Sequence, residues 1–438
     1  MKKLLKNFVS TKYLLGKGKI SDCDLVKAEI LLENNFIKKV SFDSIFEDVD
    51  LVIDCEGHFL SPGLCDPQVH FREPGLEYKE DIESGSKAAV KGGFTTVISM
   101  PNTSPTADNA ETVKYMLKKS KEVGICRVIP TGSVTLGLFG KELTNFEELI
   151  NAGAIALTDD GKGIQSDEVF AEAMKGAAKY NVPLLDHSED ESLSNGGAIH
   201  QGEVSKKFKV KGIDSNSEAA HVKRGCLMSE ETGAHFHVLH VSTKNSINFI
   251  KDAKSKNLNI TVEVSPHHLL LCDEDIPIKS DGTLNANWKM NPPLRSKEDQ
   301  AACIEALLDG TIDAIATDHA PHAPHEKDLA IESAPFGIIG LETAFPLMYS
   351  NFVTKGKLSI NRLVDLMSKN AGNLFNLKMG SITEGVVADL ALFDLDNEFE
   401  VNNNFFRSKS INSPFIGEKL KGATKLTIFE GKVVYDSL

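Results

Sequence analysis

Residues 59–64 read Phe-Leu-Ser-Pro-Gly-Leu, and residues 66–75 read Asp-Pro-Gln-Val-His-Phe-Arg-Glu-Pro-Gly. An apolar run followed by polar and turn residues is typical of a buried strand that ends at the rim of a sheet. Gln68, His70 and Arg72 alternate with a period of two, so we expect them on one side of an extended segment. They would offer a metal ligand and a cation for an anionic group. A lone histidine at a strand end is more often structural than a metal ligand, so a metal site requires further candidate ligands elsewhere in the chain.

Seven more short apolar runs follow, and stretches with helical periodicity separate them. Eight strands that alternate with helices predict a (β/α)₈ TIM-type barrel over residues 61–375. A doubly wound open sheet is the alternative, although no Gly-x-Gly-x-x-Gly motif follows the first strand to support a dinucleotide site. After the first strand, the predicted strands cover 95–100, 127–130, 154–158, 182–186, 236–240, 260–264 and 314–317.

The helical stretches predict six helices with recognisable ends. Asp108 and Ser166 are candidate N-caps, and Gly92, Gly233 and Gly310 stand where helix C-caps belong. The predicted helices are 77–90, 110–123, 167–180, 217–232, 244–256 and 297–308.

The two ends of the chain differ from its middle. Residues 1–60 and 376–438 contain short strand-like runs and turns without helical periodicity. We therefore expect one small β domain that is assembled from both ends and flanks the barrel.

Composition restricts the classes of function. The chain has 438 residues, 41% hydrophobic, with a formal net charge of −14. Such an acidic chain lacks the basic surface that nucleic acid requires. Its seven cysteines form no Cys-x-x-Cys pair, which favours a reduced cytoplasmic setting. We expect no signal peptide and no membrane partner, since no apolar run approaches the ~18 residues that span a bilayer.

Polar residues follow nearly every predicted strand. In a (β/α)₈ barrel these strand ends meet at one rim, where such folds build their sites. Imidazole and carboxylate are the ligands that Zn²⁺ prefers, and the lack of cysteine among them indicates a catalytic hydrolytic site with an open position. Beyond His70, the residues at the rim include Asn102, Asp159, Asp160, His187, His240, His267, His268, Asp318 and His322.

At these positions the chain resembles the bacterial class I dihydroorotases of the amidohydrolase superfamily. The resemblance runs through the whole chain, including the β segments at both ends. Its two most specific motifs are Lys-Met-Asn-Pro-Pro-Leu-Arg at 289–295 and Thr-Asp-His-Ala-Pro-His at 317–322. Others are the stretch at 66–75, Met-Pro-Asn-Thr at 100–103, Thr-Asp-Asp-Gly at 158–161, His-Val-Ser-Thr at 240–243, Pro-His-His at 266–268 and Ala-Pro-Phe-Gly at 334–337.

The resemblance implies a role for each matching residue. Asp160 stands where a ligand that bridges two metals is expected, and Lys162 is a lesser candidate for that bridge. Asp318 would be both a metal ligand and the catalytic acid and base. The implied cofactor is Zn²⁺, with one or two ions per subunit. The other implied metal ligands are His70, His187 and His240, and the implied substrate contacts are Arg72, Asn102, Asn291 and His322, with Phe336 and Gly337 contributing backbone.

Gln68 departs from the family pattern, which has histidine there. An amide oxygen is a weak ligand compared with imidazole. We expect Gln68 either to ligate weakly or to shift the occupied metal position toward Asp160, His187 and His240.

The implied reaction is the reversible cyclisation of N-carbamoyl-L-aspartate to L-dihydroorotate in de novo pyrimidine (UMP) biosynthesis, through a metal-activated hydroxide. Arg72 and Asn102 favour this carboxylate substrate over a hydantoinase or allantoinase activity. A second alternative is a non-catalytic dihydroorotase-like subunit of aspartate transcarbamoylase, with Gln68 as the lesion. We expect a homodimer or higher homo-oligomer, with aspartate transcarbamoylase as a candidate partner. The long polar segment 322–336 is predicted to be a mobile loop over the site.

Overall fold

The computed structural model describes all residues, from 1 to 438. The strands, numbered in chain order, are β1 (Lys2–Thr11), β2 (Leu25–Glu33), β3 (Phe36–Ser41), β4 (Leu51–Asp54), β5 (Phe59–Pro62), β6 (Leu64–Val69), β7 (Phe94–Ser99), β8 (Arg127–Pro130), β9 (Leu157–Thr158), β10 (Leu184–Asp186), β11 (Ile199–His200), β12 (Gly212–Ile213), β13 (Phe236–Val238), β14 (Ile260–Val264), β15 (Ala314–Ile315), β16 (Leu390–Asp394), β17 (Phe399–Glu400), β18 (Lys419–Leu420), β19 (Ala423–Phe429) and β20 (Lys432–Asp436). The α-helices are α1 (Ile82–Lys91), α2 (Ala110–Val123), α3 (Phe146–Ala152), α4 (Asp167–Tyr180), α5 (Glu191–Ser194), α6 (Glu203–Phe208), α7 (Asn216–Thr232), α8 (Lys244–Ser255), α9 (Pro266–Leu270), α10 (Lys297–Leu308), α11 (Pro324–Lys327), α12 (Ala344–Met348), α13 (Ile360–Met367) and α14 (Lys369–Asn373).

Eight parallel strands form the barrel. β6, β7 and β8 pair in one ladder, and β9, β10, β13, β14 and β15 pair in a second. Two backbone bridges join these ladders into a ring, one between Gly132 and Leu157 and one between Val69 and His319. This confirms the predicted (β/α)₈ barrel, because an open sheet would leave two unpaired edges.

Asp66 helps to close the ring between the first and last barrel strands. It is fully buried in β6 and accepts hydrogen bonds from the backbone N–H and the hydroxyl of Thr317, the former at 3.0 Å. Because Asp66 is the first polar residue after the apolar run that ends at Leu64, the sequence predicts that it lies at the mouth of its strand, beside His70. That expectation was wrong, since Asp66 lies within the strand and ties β6 to the segment that follows β15.

The prediction that Gln68, His70 and Arg72 alternate along one extended segment is wrong at Arg72. β6 ends at Val69, and Arg72 has φ of +62°, in the left-handed region rather than the extended one. The chain therefore turns at the rim instead of continuing as a strand.

A second sheet is built from both chain ends, in the order β20-β19-β16-β5-β1-β2-β3, with β4 paired to β1. β5 pairs antiparallel with β16, so the N-terminal and C-terminal strands share this sheet. After β5, Gly63 leads directly into β6 and the barrel. The domain division at 60/61 and 375/376 stays a prediction. The position 60/61 lies within β5, which spans 59–62.

Three predicted helices, 110–123, 167–180 and 297–308, have the bounds of α2, α4 and α10. The helix predicted over 77–90 begins instead at Ile82, because Asp81 caps it by accepting the N–H of Ser84. Asn109 rather than Asp108 caps α2. The sequence patterns missed the short helix α3. None of the helices combines the length and the apolarity that crossing a bilayer would need.

Close packing of helices against the barrel fixes the strand ends in place. On α7, Gly225 lies directly against the Phe236 ring of β13, and a Cβ there would meet the ring at 2.0 Å. Phe236 in turn packs edge-to-face against Phe170 of α4. Any larger residue at 225 would push α7 away from the strand that leads to His240.

Candidate functional site

The rim of the barrel surrounds a cavity of about 210 Å³. The residues of the predicted site follow several different strands, so the closed barrel brings together side chains that are far apart in sequence, such as Arg72 and His322, which are 250 residues apart. All of the predicted site residues except Gln68 line this cavity. Its lining residues are His70, Arg72, Asn102, Asp160, Gly161, His187, His240, Asn291, Asp318, Ala320, His322, Phe336 and Gly337.

Asp160, His187 and His240 form a three-ligand group on one side of the cavity. Asp160 Oδ1 lies 3.5 Å from His187 Nδ1 and 3.6 Å from His240 Nε2. These two imidazole nitrogens are 3.1 Å apart. The ligand atoms all lie within 4.8 Å of one another, so the group can hold a metal ion.

The electrostatics of this group suit a cation. Burial by itself would raise the pKa of Asp160, but hydrogen bonds to His187 and His240 hold it well below its usual range. Burial would likewise lower the pKa of His187, yet Asp160 and Glu189 raise it to about 10. The surroundings therefore favour a positive charge between these groups, and two imidazoles with a carboxylate are a donor set that suits a borderline divalent ion.

Glu189 orients His187 from behind, and the sequence reasoning missed it. Glu189 Oε2 lies 2.9 Å from His187 Nε2 and accepts a hydrogen bond of 2.7 Å from Asn291 Nδ2. A carboxylate behind a ligating imidazole fixes the ring and raises its basicity. Its position two residues after a predicted ligand was the available signal.

The other oxygen of Asp160 faces a different set of partners. Asp160 Oδ2 accepts a hydrogen bond of 2.9 Å from Gln68 Nε2 and lies 3.2 Å from His70 Nε2. The same His70 nitrogen is 3.0 Å from Asp318 Oδ1, and Asn102 Oδ1 is 2.9 Å from His70 Nδ1. Gln68 Oε1 is buried without a partner. Asp160 thus spans two halves of the site, of which the first groups three possible metal ligands within 4.8 Å of one another.

Lys162 is not part of the site. Its ammonium lies 5.8 Å from the ring centroid of Phe139, and it does not line the cavity. Asp159 is also structural, because it accepts the backbone N–H groups of Val134 and Thr135 and so holds the loop after β8.

Arg72 provides a buried cation at the cavity. Its exposed fraction is 8%, and its Nε donates to the carbonyl of Pro321 at 3.4 Å. Burial lowers the pKa of Arg72 to about 10, against the opposing pull of Asp318 and Asp160, so the guanidinium stays charged at neutral pH. Three residues of the cavity have positive φ although none is glycine, namely Arg72, His240 and Asp318. Such strained backbone clusters at functional sites.

His322 holds one wall of the cavity. Its Nε2 donates to the carbonyl of Phe336 at 2.8 Å, and its Nδ1 lies 3.4 Å from the Lys79 ammonium. Burial, together with Arg72 and Lys79, lowers the pKa of His322 to about 2, so the ring is neutral. The segment 322–336 contains α11 and packs against this wall through the buried Lys327. Its mobility stays a prediction.

Comparison with known proteins identifies the family. A family model described as "Dihydro-orotase-like" matches residues 57–246. The protein named dihydroorotase from Brevibacillus brevis is 49% identical over 97% of this chain and 99% of its own length. The dihydroorotase from Bacillus caldolyticus is 47% identical over 95% of this chain and 96% of its own.

Solved structures agree on the architecture. The L-hydantoinase from Arthrobacter aurescens has a TM-score of 0.84 and 26% identity, over 99% of this chain and 96% of its own. The dihydropyrimidinase from Brevibacillus agri has a TM-score of 0.82 and 21% identity, over 100% and 95%, and shows the fold alone. The chain belongs to the dihydroorotase family and is a cyclic amidohydrolase.

Proposed function

We propose that this enzyme interconverts N-carbamoyl-L-aspartate and L-dihydroorotate in de novo pyrimidine biosynthesis. One observation carries the proposal: the cavity joins a group of three possible metal ligands, the carboxylate of Asp318 and the buried guanidinium of Arg72. Hydrolysis of a ring amide that also bears a carboxylate needs a metal ion, a proton acceptor and a cation that binds the carboxylate.

Zn²⁺ is the proposed cofactor, and Asp160, His187 and His240 would hold it. His70 and Asp318 would contribute to a second ion if one binds, with Gln68 as a poor neutral ligand beside them. When bound, the ion supplies a Lewis acid that polarises the amide carbonyl and lowers the pKa of the attacking water.

Asp318 is the proposed acid and base. Its Oδ1 lies 3.0 Å from His70 Nε2, which leaves Oδ2 to accept the proton of the attacking water and return it to the leaving ring nitrogen. In the direction of cyclisation, the carbamoyl nitrogen attacks the carboxyl carbon, and Asp318 would take the proton from that nitrogen and give it to the oxygen that leaves the carboxyl carbon as hydroxide. Its exposed fraction of 5% keeps bulk water from competing for that proton.

Arg72 is the proposed partner of the substrate carboxylate, because a guanidinium presents two parallel N–H donors to two carboxylate oxygens. Asn102 uses its Oδ1 on His70 and so keeps its amide N–H₂ free to donate. Asn291, His322 and the Phe336–Gly337 backbone complete the proposed contacts. The Gly337 N–H already donates to Lys289 O at 3.0 Å, so this backbone acts first as a wall of defined shape.

The rival activities differ in the charge of the substrate. A hydantoin ring carries no carboxylate, so a hydantoinase has no use for a buried Arg72. A non-catalytic subunit of aspartate transcarbamoylase has no need for the converging ligands. We keep a homo-oligomer and an aspartate transcarbamoylase partner as proposals that size and co-purification measurements would test.

The test measures hydrolysis of L-dihydroorotate and of hydantoin by the zinc-loaded protein, in wild type and in Arg72→Met. We expect turnover of dihydroorotate alone, and a rise in KM of about 10²-fold in Arg72→Met, since a charge-assisted bidentate pair is worth about 3 kcal/mol. Lys206→Met removes one exposed charge and is the control. Equal turnover of hydantoin would favour the hydantoinase, and turnover gained only in Gln68→His would favour the non-catalytic subunit.

A further inference from the structure

Two lysines are buried next to the cavity without lining it, and neither is among the proposed metal ligands or substrate contacts. Lys327, the last residue of α11, has an exposed fraction of 4%, and Lys289 has one of 3%. Lysine is rarely buried to this degree, because removing an ammonium from water is costly unless its hydrogen bonds are fully met. The contacts of each ammonium therefore show what it holds.

The Lys327 ammonium is saturated by backbone carbonyls alone. It donates to the carbonyls of Pro335 at 2.9 Å, Gly337 at 3.0 Å and Lys289 at 3.1 Å. An ammonium has three N–H donors, so this arrangement uses all of them. The three acceptors belong to two chain segments that are more than 40 residues apart.

Lys289 strengthens the same junction from the other side. Its ammonium donates to the carbonyls of Ala334 at 2.7 Å and Glu332 at 3.2 Å, and it lies 4.3 Å from the centroid of the Phe336 ring. The Gly337 N–H also donates to Lys289 O. Segments 289–291 and 334–337 are thus cross-linked by two side chains and one backbone bond.

Both cross-linked segments carry walls of the cavity. Asn291 lies two residues after Lys289 and bonds Glu189, which orients His187. Phe336 and Gly337 line the cavity directly. The metal ligands, by contrast, follow barrel strands that Lys327 does not contact.

We propose that Lys327 is a positioning residue for the reaction, because its buried ammonium fastens the segment of Asn291 to the wall formed by Phe336 and Gly337. The kinetic consequence of this inference rests on the proposed function, whereas its structural consequence rests on the geometry alone. Without this ammonium, three carbonyls lose their donor, and the two walls separate while the barrel strands that carry the proposed metal ligands stay in place.

The test uses the zinc-loaded protein with Lys327→Met, which keeps the length of the side chain and removes its donors. Lys175→Met, on the exposed face of α4, is the matched control. Hydrogen exchange is followed by mass spectrometry for peptides that cover 328–338 and 286–292. We expect exchange there to quicken at least 10-fold in Lys327→Met relative to the rest of the chain, with zinc content unchanged, and no change in Lys175→Met.

Kinetics provide the second readout. We expect kcat/KM for dihydroorotate to fall 10- to 100-fold in Lys327→Met, mainly through KM, because the walls bind substrate while the ligands and Asp318 remain. In Lys327→Ala, added ethylamine should restore part of that loss with saturation, since a small ammonium can enter the vacated space. A general structural role would instead lower thermal stability, quicken exchange everywhere and resist rescue.

The outcomes separate this inference from the proposed function. If hydrogen exchange quickens only in these peptides of Lys327→Met, but the wild type does not turn over dihydroorotate, the cross-link is supported and the proposed activity is wrong. Unchanged exchange and unchanged KM in Lys327→Met would overturn the inference even if the wild type is a dihydroorotase. If Lys327→Met does not fold, Lys327→Ala purified in ethylamine carries the same comparison, and failure of both variants to fold would also overturn it.

Discussion

The two oxygens of Asp160 face two halves of the cavity that differ in completeness. Oδ1 faces two imidazoles, and Glu189 orients one of them from behind. Oδ2 faces one imidazole and the N–H of an amide, Gln68, whose own oxygen has no partner. The first half can hold a metal ion, whereas the second is partly a hydrogen-bond network. The difference teaches that a shared carboxylate does not by itself make two equal metal sites.

The largest effect should come from removing the shared carboxylate. Asp160→Ala takes a ligand from the complete half and the hydrogen-bond acceptor from the other. We expect bound metal to fall to near zero and kcat/KM to fall by about 10⁴ or more, because metal and water activation are lost together. Elemental analysis and the hydrolysis assay check this, with Asp252→Asn on the exposed surface as control. Full metal content in Asp160→Ala would contradict the comparison.

Asp318→Asn should separate catalysis from metal binding. Asparagine keeps the shape of the side chain and cannot take a proton, so kcat should fall by about 10³, in the range of general acid–base catalysis. The ion held by Asp160, His187 and His240 should remain, as measured by metal content per chain. Loss of the metal together with the activity would mean that Asp318 belongs to the main ligand set.

Gln68→His should make the two halves alike. The imidazole replaces an amide donor with a ligand and frees Asp160 Oδ2, so metal content should rise from about one ion per chain toward two. Cobalt-loaded protein gives an independent readout, because two neighbouring ions couple magnetically. Gln165→His, outside the cavity, is the control. A content of two metal ions per chain in the wild type would show that the two halves of the cavity bind metal equally well.

The smallest effect concerns the support behind the complete half. His268 is buried and its Nε2 donates to the carbonyl of Pro292, next to Asn291. Burial lowers the pKa of His268 from its ordinary 6.5 to about 3. Between pH 6.5 and about 3, the His268 imidazole is therefore neutral in the folded state and protonated in the unfolded state. This stability is fully present above pH 6.5 and is lost as the pH falls from 6.5 toward about 3.

At pH 4 the loss amounts to about 3 kcal/mol, at 1.4 kcal/mol for each pH unit below 6.5. Denaturant unfolding between pH 7 and pH 4 should show a shallower fall in the free energy of unfolding for His268→Gln than for wild type. His325→Gln, at an exposed position, should match the wild type. Equal slopes in all three proteins would show that His268 does not resist protonation.

Much of the fold could be predicted from local patterns. The apolar runs and caps are set by neighbouring residues, so α2, α4 and α10 have their predicted bounds. The start of α1 was misplaced because Asp81, rather than the preceding polar run, caps the helix. The barrel itself followed from counting alternating strands and helices, a property that needs no knowledge of contacts.

The site was harder, because its contacts join residues that are distant in the chain. The rim position of Asp160, His187, His240 and Asp318 followed from their place after strands. The position of Glu189 two residues after His187 was only a weak signal of its contact, since a carboxylate near a histidine in sequence can point in any direction. Nothing local in the sequence predicts that Lys327 is buried, and Lys289 stands there only as the first residue of a motif without a role of its own; folding buries both.

The sequence by itself determined the alternation of strands and helices, the residue types at each strand end, and the anomaly at Gln68. The tertiary structure alone decided that Asp66 closes the barrel, that the amide N–H of Gln68 meets Asp160, and that Lys327 binds two walls together. The reason is physical. Periodicity and capping act over a few residues, whereas hydrogen bonds and burial of charge depend on which distant groups the closed barrel brings within 3 Å.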